Sequence, residues 1–523
     1  MRFFSRLAQR ARSIYAPVRP FFESEYVAIA VLLVIAAFTR LYKLGDESFW
    51  LDEATTFERS RLPLPELVAD AEKAYHNPTY FVLIHYWMKL GDSEAMLRLP
   101  SALFGILQVP VVYVLGRIVG GRFVAFAAGL VLCLNQRSVH YGQEARMYAL
   151  YCLGASVAMA ALVWFAKHPD EAARPWRTSK KSESGAASAS PLARRAWIAF
   201  VVGAIVALYC HATAVMFVTA CSVVALVFLA VRRAERRGFF VNWVLANVIV
   251  LIAFGPWLPR LLGQTNKLMG SDFWLADPTT DSVFASLRST FLFGDRSLEL
   301  TIFLGVFALV GTFALRKSPL ALAALWLLTV LGPGLLLLAS IRQSVFMPRL
   351  FLWSVAPFSV IVGAGLVATR RVALNLVFLT TFAALASYWL NRAYYKPRTK
   401  PDWYEAIHMV SDRLKSNERV IAIGRRERRL LKYYFDRNSG PIPAFEYQEV
   451  SGERDNVDEL VGDARAIWTI QGRRWPAAER IRTELAKRGR RGVSRHFGGN
   501  VAVERYTIRG EKKRDDSEKK REK

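Results

Sequence analysis

The chain has 523 residues, 53% of them hydrophobic, and a formal net charge of +27. That is too apolar for an ordinary soluble domain and long enough for several membrane spans plus a separate polar region. The basic excess does not imply nucleic-acid binding, because much of it lies in short segments between apolar runs, where Lys and Arg orient a membrane protein. Cys133, Cys152, Cys210 and Cys221 all fall in apolar runs without metal-ligand spacing, which supports neither a disulfide framework nor a zinc site.

In chain order, residues 1–25 are Arg-rich and are expected in the cytoplasm. The first apolar run, about 26–44, lacks a small-residue cleavage site and is expected to be a retained anchor. It delivers Asp52 and Glu53, flanked by aromatics, to the opposite side. Residues 45–76 then form a first external loop. Within it Pro65–Tyr75 is expected to be an amphipathic helix on the bilayer surface, with Leu67, Val68, Ala71 and Tyr75 on one face.

Residues 78–90 are expected to be interfacial or half-inserted, because charge parity leaves room for one full span (about 98–116) before the basic turn at Arg117 and Arg122. Further spans follow at about 123–136 and 147–166. A cytoplasmic loop, 167–195, is rich in Lys, Arg, Ser and Ala and is expected to be disordered. Two spans flank His211, and another ends near Gly255-Pro256-Trp257. After an external loop of about 40 residues come spans at about 299–315, 320–340, 350–368 and 372–390. The total is about eleven, which puts residues 391–508 outside.

That C-terminal region reads as a small α/β domain. Helices are expected at Trp403–Leu414 and about 476–488, with strands at 419–424, 466–470 and 501–506. No glycine-rich phosphate loop opens a helix there. The charged tail, 509–523, is expected to be disordered.

On this topology four polar groups collect at the outer membrane boundary: Asp52-Glu53, His76-Asn77, Gln143-Glu144-Ala145-Arg146 and Arg342–Arg349. Ionisable residues at span ends are functional candidates. Acids and arginines together suit a reaction between a membrane-anchored phosphate and a nucleophile from water. Arginine binds phosphate by charge-assisted hydrogen bonds, and a carboxylate accepts a proton.

Several blocks carry a family resemblance: Arg40-Leu41-Tyr42-Lys43-Leu44-Gly45, Trp50-Leu51-Asp52-Glu53-Ala54, His76-Asn77-Pro78-Thr79-Tyr80, Leu97-Arg98-Leu99-Pro100-Ser101-Ala102 with Gly105, and Tyr141-Gly142-Gln143-Glu144-Ala145-Arg146-Met147-Tyr148. Their order and spacing resemble bacterial members of the protein-mannosyltransferase-like group, within the GT-C superfamily of polytopic glycosyltransferases and related to the lipid A aminoarabinose transferases. The resemblance is specific over about residues 38–150 and looser to about 410. Two departures stand out: Asn77 where the family commonly has Pro, and Leu350 where an aromatic usually follows the Arg.

The resemblance implies an α-helical, GT-C-like polytopic membrane protein of the bacterial inner membrane. It also implies a polyprenyl-phosphate sugar donor, a lipid, glycan or protein acceptor, and transfer on the periplasmic face. Breaking the bond between the anomeric carbon and the phosphate needs positive charge at the leaving group more than a general acid. The acceptor hydroxyl needs a base. Asp52 is therefore the expected base, in a one-step inverting displacement. Glu53 and Glu144 position the acceptor or the sugar hydroxyls, and His76, Asn77, Arg146 and Arg349 bind substrate. A divalent ion held by Asp52 and Glu144 is compatible with the acids, though nothing in the spacing demands one. The competing readings are a lipid-linked-sugar flippase, which would show internal repeats and broken helices at the midplane, and a polymer ligase, which would carry a larger external domain.

Overall fold

The computed structural model describes residues 24–175, 190–269, 275–292, 297–397, 400–423, 427–437, 447–450, 457–472 and 476–508. The N-terminal basic stretch up to residue 23, residues 176–189 of the loop expected at 167–195, the turn after 423 and the charged tail lie outside the described residues, whereas Pro169–Ala173 and the stretch from Pro191 of that loop are helical rather than disordered. Two compact units emerge. One comprises residues 1–44, 62–92 and 96–396. The other comprises residues 45–61, 93–95 and 397–523.

The first unit is a bundle of apolar helices. Seven are long and apolar enough to cross a membrane: Glu94–Gly120, Tyr148–Lys167, Pro191–Cys210, Ala214–Val231, Arg236–Phe254, Pro319–Ser340 and Val372–Tyr395. A bent pair, Arg122–Leu134 with Gln136–Gly142, makes up to eight. Three of the eleven expected segments are helical but shorter than eighteen residues: Glu25–Leu41, Leu298–Ala314 and Val355–Leu366. Side chains such as Ile252, Phe313 and Leu226 stand more than 60% exposed, as lipid-facing residues do. Where helices cross, glycine lets backbones touch. A Cβ at Gly365 would lie 1.9 Å from the Phe307 carbonyl oxygen, and one at Gly311 would lie 1.8 Å from that of Ile361.

The bent pair turns by 62°, and the sequence supplies what the break exposes. Ending a helix leaves its last carbonyls without intrahelical donors. Here the buried Arg40 guanidinium donates to the carbonyls of Cys133 and Leu132 at 3.2 and 3.3 Å, and the Thr39 hydroxyl also donates to Cys133. Asn135 caps the second helix by accepting from the Ser138 amide at 2.9 Å. Gly105 and Gly142 make room for Arg40, since a Cβ at Gly105 would sit 2.9 Å from its Nε. Gln143 in turn donates to the carbonyls of Arg40 and Tyr42 and accepts from the Tyr394 hydroxyl at 2.7 Å.

Two surface expectations are corrected. The amphipathic helix exists as Leu64–Lys73, but its buried residues Leu67 and Ala71 pack on Phe81 rather than on the bilayer. Tyr75 lies beyond the helix, 43% exposed with φ of 60°. Residues 79–90 form a nine-residue helix and a 3-10 turn, too short to cross a hydrocarbon layer of about 30 Å. The expected external loop after Arg260 contains two helices, Leu258–Met269 and Thr280–Phe291.

The second unit is built on a five-stranded sheet in the order β2-β1-β3-β5-β4. Its strands are β1 (Glu418–Ile423), β2 (Tyr447–Val450), β3 (Ala466–Gln471), β4 (Gly489–Phe497) and β5 (Val501–Ile508). β1 pairs in parallel with β2 and β3, whereas β5 runs antiparallel to β3 and β4. The fully buried β3 and the inner end of β1 read as apolar runs. β2 and β4 were not expected. β4, with Arg490, Arg491 and Arg495, is a mostly exposed edge strand whose charges conceal the strand period.

Candidate active site

Asp52 and Glu53 open the helix Leu51–Arg61, where acids suit the positive end of the helix dipole. This segment belongs to the second unit and is pinned there at many points. The Phe49 amide donates to the Tyr434 hydroxyl at 2.7 Å, and Phe49 and Phe57 each pack on the Tyr433 ring with centroids 4.7 Å apart. Arg429 pairs with Glu58 at 2.8 Å and donates to Thr55. Glu53 is fully buried, and both its oxygens accept from Lys400 Nζ at 3.1 Å. Asp52 is only half-buried. The two adjacent acids thus differ: one is sealed in an ion pair, and the other stands at the rim of the helix.

In the first unit a second cluster forms just beyond the bent pair. With the Arg40 and Gln143 side chains spent on backbone, the motif's remaining polar groups point elsewhere. Glu144 is 2% exposed. Its Oε1 accepts from His140 Nε2 at 2.9 Å, while Oε2 meets no hydrogen-bond donor among the described residues. Arg146, 3% exposed, donates to His76 Nε2 at 3.1 Å and lies over the Phe81 ring. Because arginine can only donate, His76 must accept at Nε2. The chain at Arg146 is fixed by Ser101, whose hydroxyl donates to the Arg146 carbonyl and is itself bonded to the Tyr80 hydroxyl. Arg349 lies over the Tyr148 ring, 5.7 Å from its centroid.

His211 completes the cluster. Its ring faces Tyr148 and Tyr151 at 5.8 and 6.0 Å. The Thr213 backbone N–H donates to Nδ1, which leaves the ring proton on Nε2. Desolvation pushes the pKa of His211 down to about 3, and the positive charges of Arg349 and Arg146 push the same way. Both arginines therefore act on one neutral imidazole, and a net-positive, aromatic-walled neighbourhood results. Such a neighbourhood suits a phosphate.

Of the residues singled out in the sequence, the first unit brings Arg146 to His76, Glu144 to His140 and Arg349 over the Tyr148 ring. Asn77 is nearby but committed: its amide donates to the Leu208 carbonyl at 2.6 Å and accepts from Trp257 Nε1 at 2.9 Å. It ties the 76–78 turn to the helix Pro191–Cys210 and to the turn at Trp257. Sequence reasoning missed His140, His211 and Lys400. His140 stands four residues before Glu144, a helical spacing that was available in the sequence. Nothing local marked Lys400, 347 positions from Glu53. Among the described residues, no group of three or more His, Cys, Asp or Glu side chains is placed to hold a metal ion.

No family model matches this sequence, and neither does any curated protein. Solved structures do match. The fold is similar to those of ArnT and of the oligosaccharyltransferase AglB. The apo crystal structure of ArnT from Cupriavidus metallidurans superposes with a TM-score of 0.61 over 92% of this chain and 97% of that one, at 14% identity. The same protein bound to undecaprenyl phosphate gives 0.55 over the same shares, also at 14% identity. The archaeal oligosaccharyltransferase AglB from Archaeoglobus fulgidus, in complex with an inhibitory peptide and a dolichol-phosphate, gives 0.52 at 12% identity over 86% of this chain and 70% of that one. This chain is thus a multi-pass membrane protein with an ArnT-like fold.

Proposed function

We propose that this protein is a membrane glycosyltransferase that moves a sugar from a polyprenyl-phosphate donor to a hydroxyl on the periplasmic face of a bacterial inner membrane. The observation that carries the reading is the pairing of an ArnT-like fold with Arg146 bonded to His76, Arg349 over the Tyr148 ring that His211 also faces, and a buried carboxylate, Glu144, with one oxygen unpartnered among the described residues. In this reading residues 26–390 are the catalytic membrane region, and 391–508 form an extracytoplasmic domain to which the Asp52 helix is bound.

The donor phosphate lies against Arg146 and Arg349, with the Nε2–H of His211 as a neutral third donor. Charge that develops on the phosphate oxygen as the anomeric C–O bond breaks is met by groups already in place. Asp52 takes the proton of the acceptor hydroxyl as the acceptor oxygen bonds to the anomeric carbon and the phosphate leaves, and the configuration inverts. Glu144 accepts a sugar or acceptor hydroxyl at Oε2, oriented by His140. Glu53 positions Asp52 through its bond to Lys400, and Asn77 positions His76.

The test compares membranes containing the wild-type chain and Asp52→Asn, fed radiolabelled polyprenyl-phosphate sugars. Loss of a positioned base lowers transfer by about 10²–10⁴-fold. Transfer at the wild-type rate in the variant would remove Asp52 from the mechanism.

A further inference from the structure

Four arginines crowd the turn between the apolar helices Ala214–Val231 and Arg236–Phe254, and their bonding divides them. Arg232 pairs with Glu235 at 3.3 Å. Arg236 donates from Nε to the Leu229 carbonyl at 2.8 Å, a last-turn group that the helix itself leaves open. Arg233 and Arg237 are exposed and make no hydrogen bond or ion pair among the described residues. Together with Arg236 they line a cavity of about 410 Å³, whose other walls are Leu229, Ala234 and Phe240. It is an open depression rather than an enclosed pocket.

The cavity is braced from behind. A Cβ at Gly238 would lie 2.2 Å from the Ala173 carbonyl oxygen, so the backbone of the turn is pressed against the 169–173 helix. Asn242 donates to the carbonyls of Ala172 and Arg174 at 3.0 and 2.8 Å. Of the lining residues Phe240 is 52% exposed, and Leu226 and Val231 on the helix that leads into the turn are each 63% exposed. A basic turn that merely orients a membrane protein needs charge; it does not need a braced pocket with apolar walls at the end of two membrane-length helices. Fixed cations next to apolar surface match a ligand with an anionic head and a hydrocarbon tail.

We propose that this cavity binds the phosphate of an anionic membrane lipid. Arg233 and Arg237 hold the headgroup, and Leu229 and Phe240 lie along the adjoining hydrocarbon. The site is independent of sugar transfer and of the cluster around His211.

The test uses the full chain in nanodiscs of equal parts phosphatidylglycerol and phosphatidylcholine, with native mass spectrometry reading the lipids retained on release. The wild type retains phosphatidylglycerol over phosphatidylcholine. Arg233→Ala with Arg237→Ala removes most of that preference. Arg316→Ala with Lys317→Ala, which removes as much charge at another turn, leaves it unchanged. Arg237→Gln alone keeps the Arg236 and Gly238 contacts and gives the same comparison should the double variant fold poorly. Equal retention by the wild type and the Arg233/Arg237 variants overturns the proposal. Full displacement of phosphatidylglycerol by millimolar inorganic phosphate also overturns it, by assigning the cavity to a soluble anion.

Discussion

Glu53 and Glu144 are both carboxylates with almost no exposed surface, at 0% and 2%, yet they are satisfied in different ways. Glu53 gives both oxygens to Lys400, so its charge is cancelled and its lone pairs are largely used. Glu144 gives one oxygen to His140 and leaves the other without a donor among the described residues. Burying a polar group without a hydrogen bond is costly. Glu144 therefore carries a valence that a substrate hydroxyl can fill, whereas Glu53 carries a structural tie. Burial alone does not separate the two; the count of satisfied lone pairs does.

The comparison can be broken most sharply at the ion pair. Glu53→Gln or Lys400→Met leaves one buried partner without its counter-charge and is expected to cost about 3–5 kcal/mol, read as a fall in melting temperature of the purified chain. The double change should recover most of that loss. A double variant no better than either single one would deny that the two side chains act as a unit. For Glu144→Gln the expectation reverses. Melting stays near that of the wild type while sugar transfer falls about 10²-fold, in the range for removal of one oriented catalytic contact. Equal losses in stability and in transfer would make Glu144 structural like Glu53.

A smaller effect is expected at Arg349. Changing it to Ala removes one charge-assisted contact, so the KM for the lipid donor should rise about ten-fold with the fold intact. Unchanged donor dependence would move the phosphate elsewhere.

The smallest effects are in pH dependence, and they separate the two units by window. His211 has a pKa near 3 against an ordinary 6.5, so the unfolded chain takes up its proton first. Its contribution is fully present above about pH 6.5 and is lost as the pH falls toward 3. At Glu418, burial raises the pKa, but hydrogen bonds from Arg505 and Trp468 outweigh it and leave the carboxyl below its ordinary 4.5. That contribution is present above about pH 4.5 and is lost below it. Melting curves across pH 7 to 3 should therefore flatten in the upper window for His211→Gln and only in the lower one for Glu418→Gln.

The sequence by itself determined the apolar helices, the inner strands β1, β3 and β5, and the blocks around Asp52, His76 and Glu144, because period and turn chemistry are properties of neighbouring residues. It did not show how the motif divides its labour. Arg40 closes carbonyls 92 and 93 positions away, and Gln143 reaches back more than 100 to the end of the first helix. Only those long-range bonds decide that Arg40 and Gln143 serve the backbone while Glu144 and Arg146 turn to His140 and His76. β4 stayed hidden because its arginines mask the alternation of a strand that one neighbour alone defines. The tautomer of His211 depends on one backbone amide, and the role of Glu53 on a lysine 347 residues on. Partner choice is a matter of packing in three dimensions, and a linear pattern does not carry it.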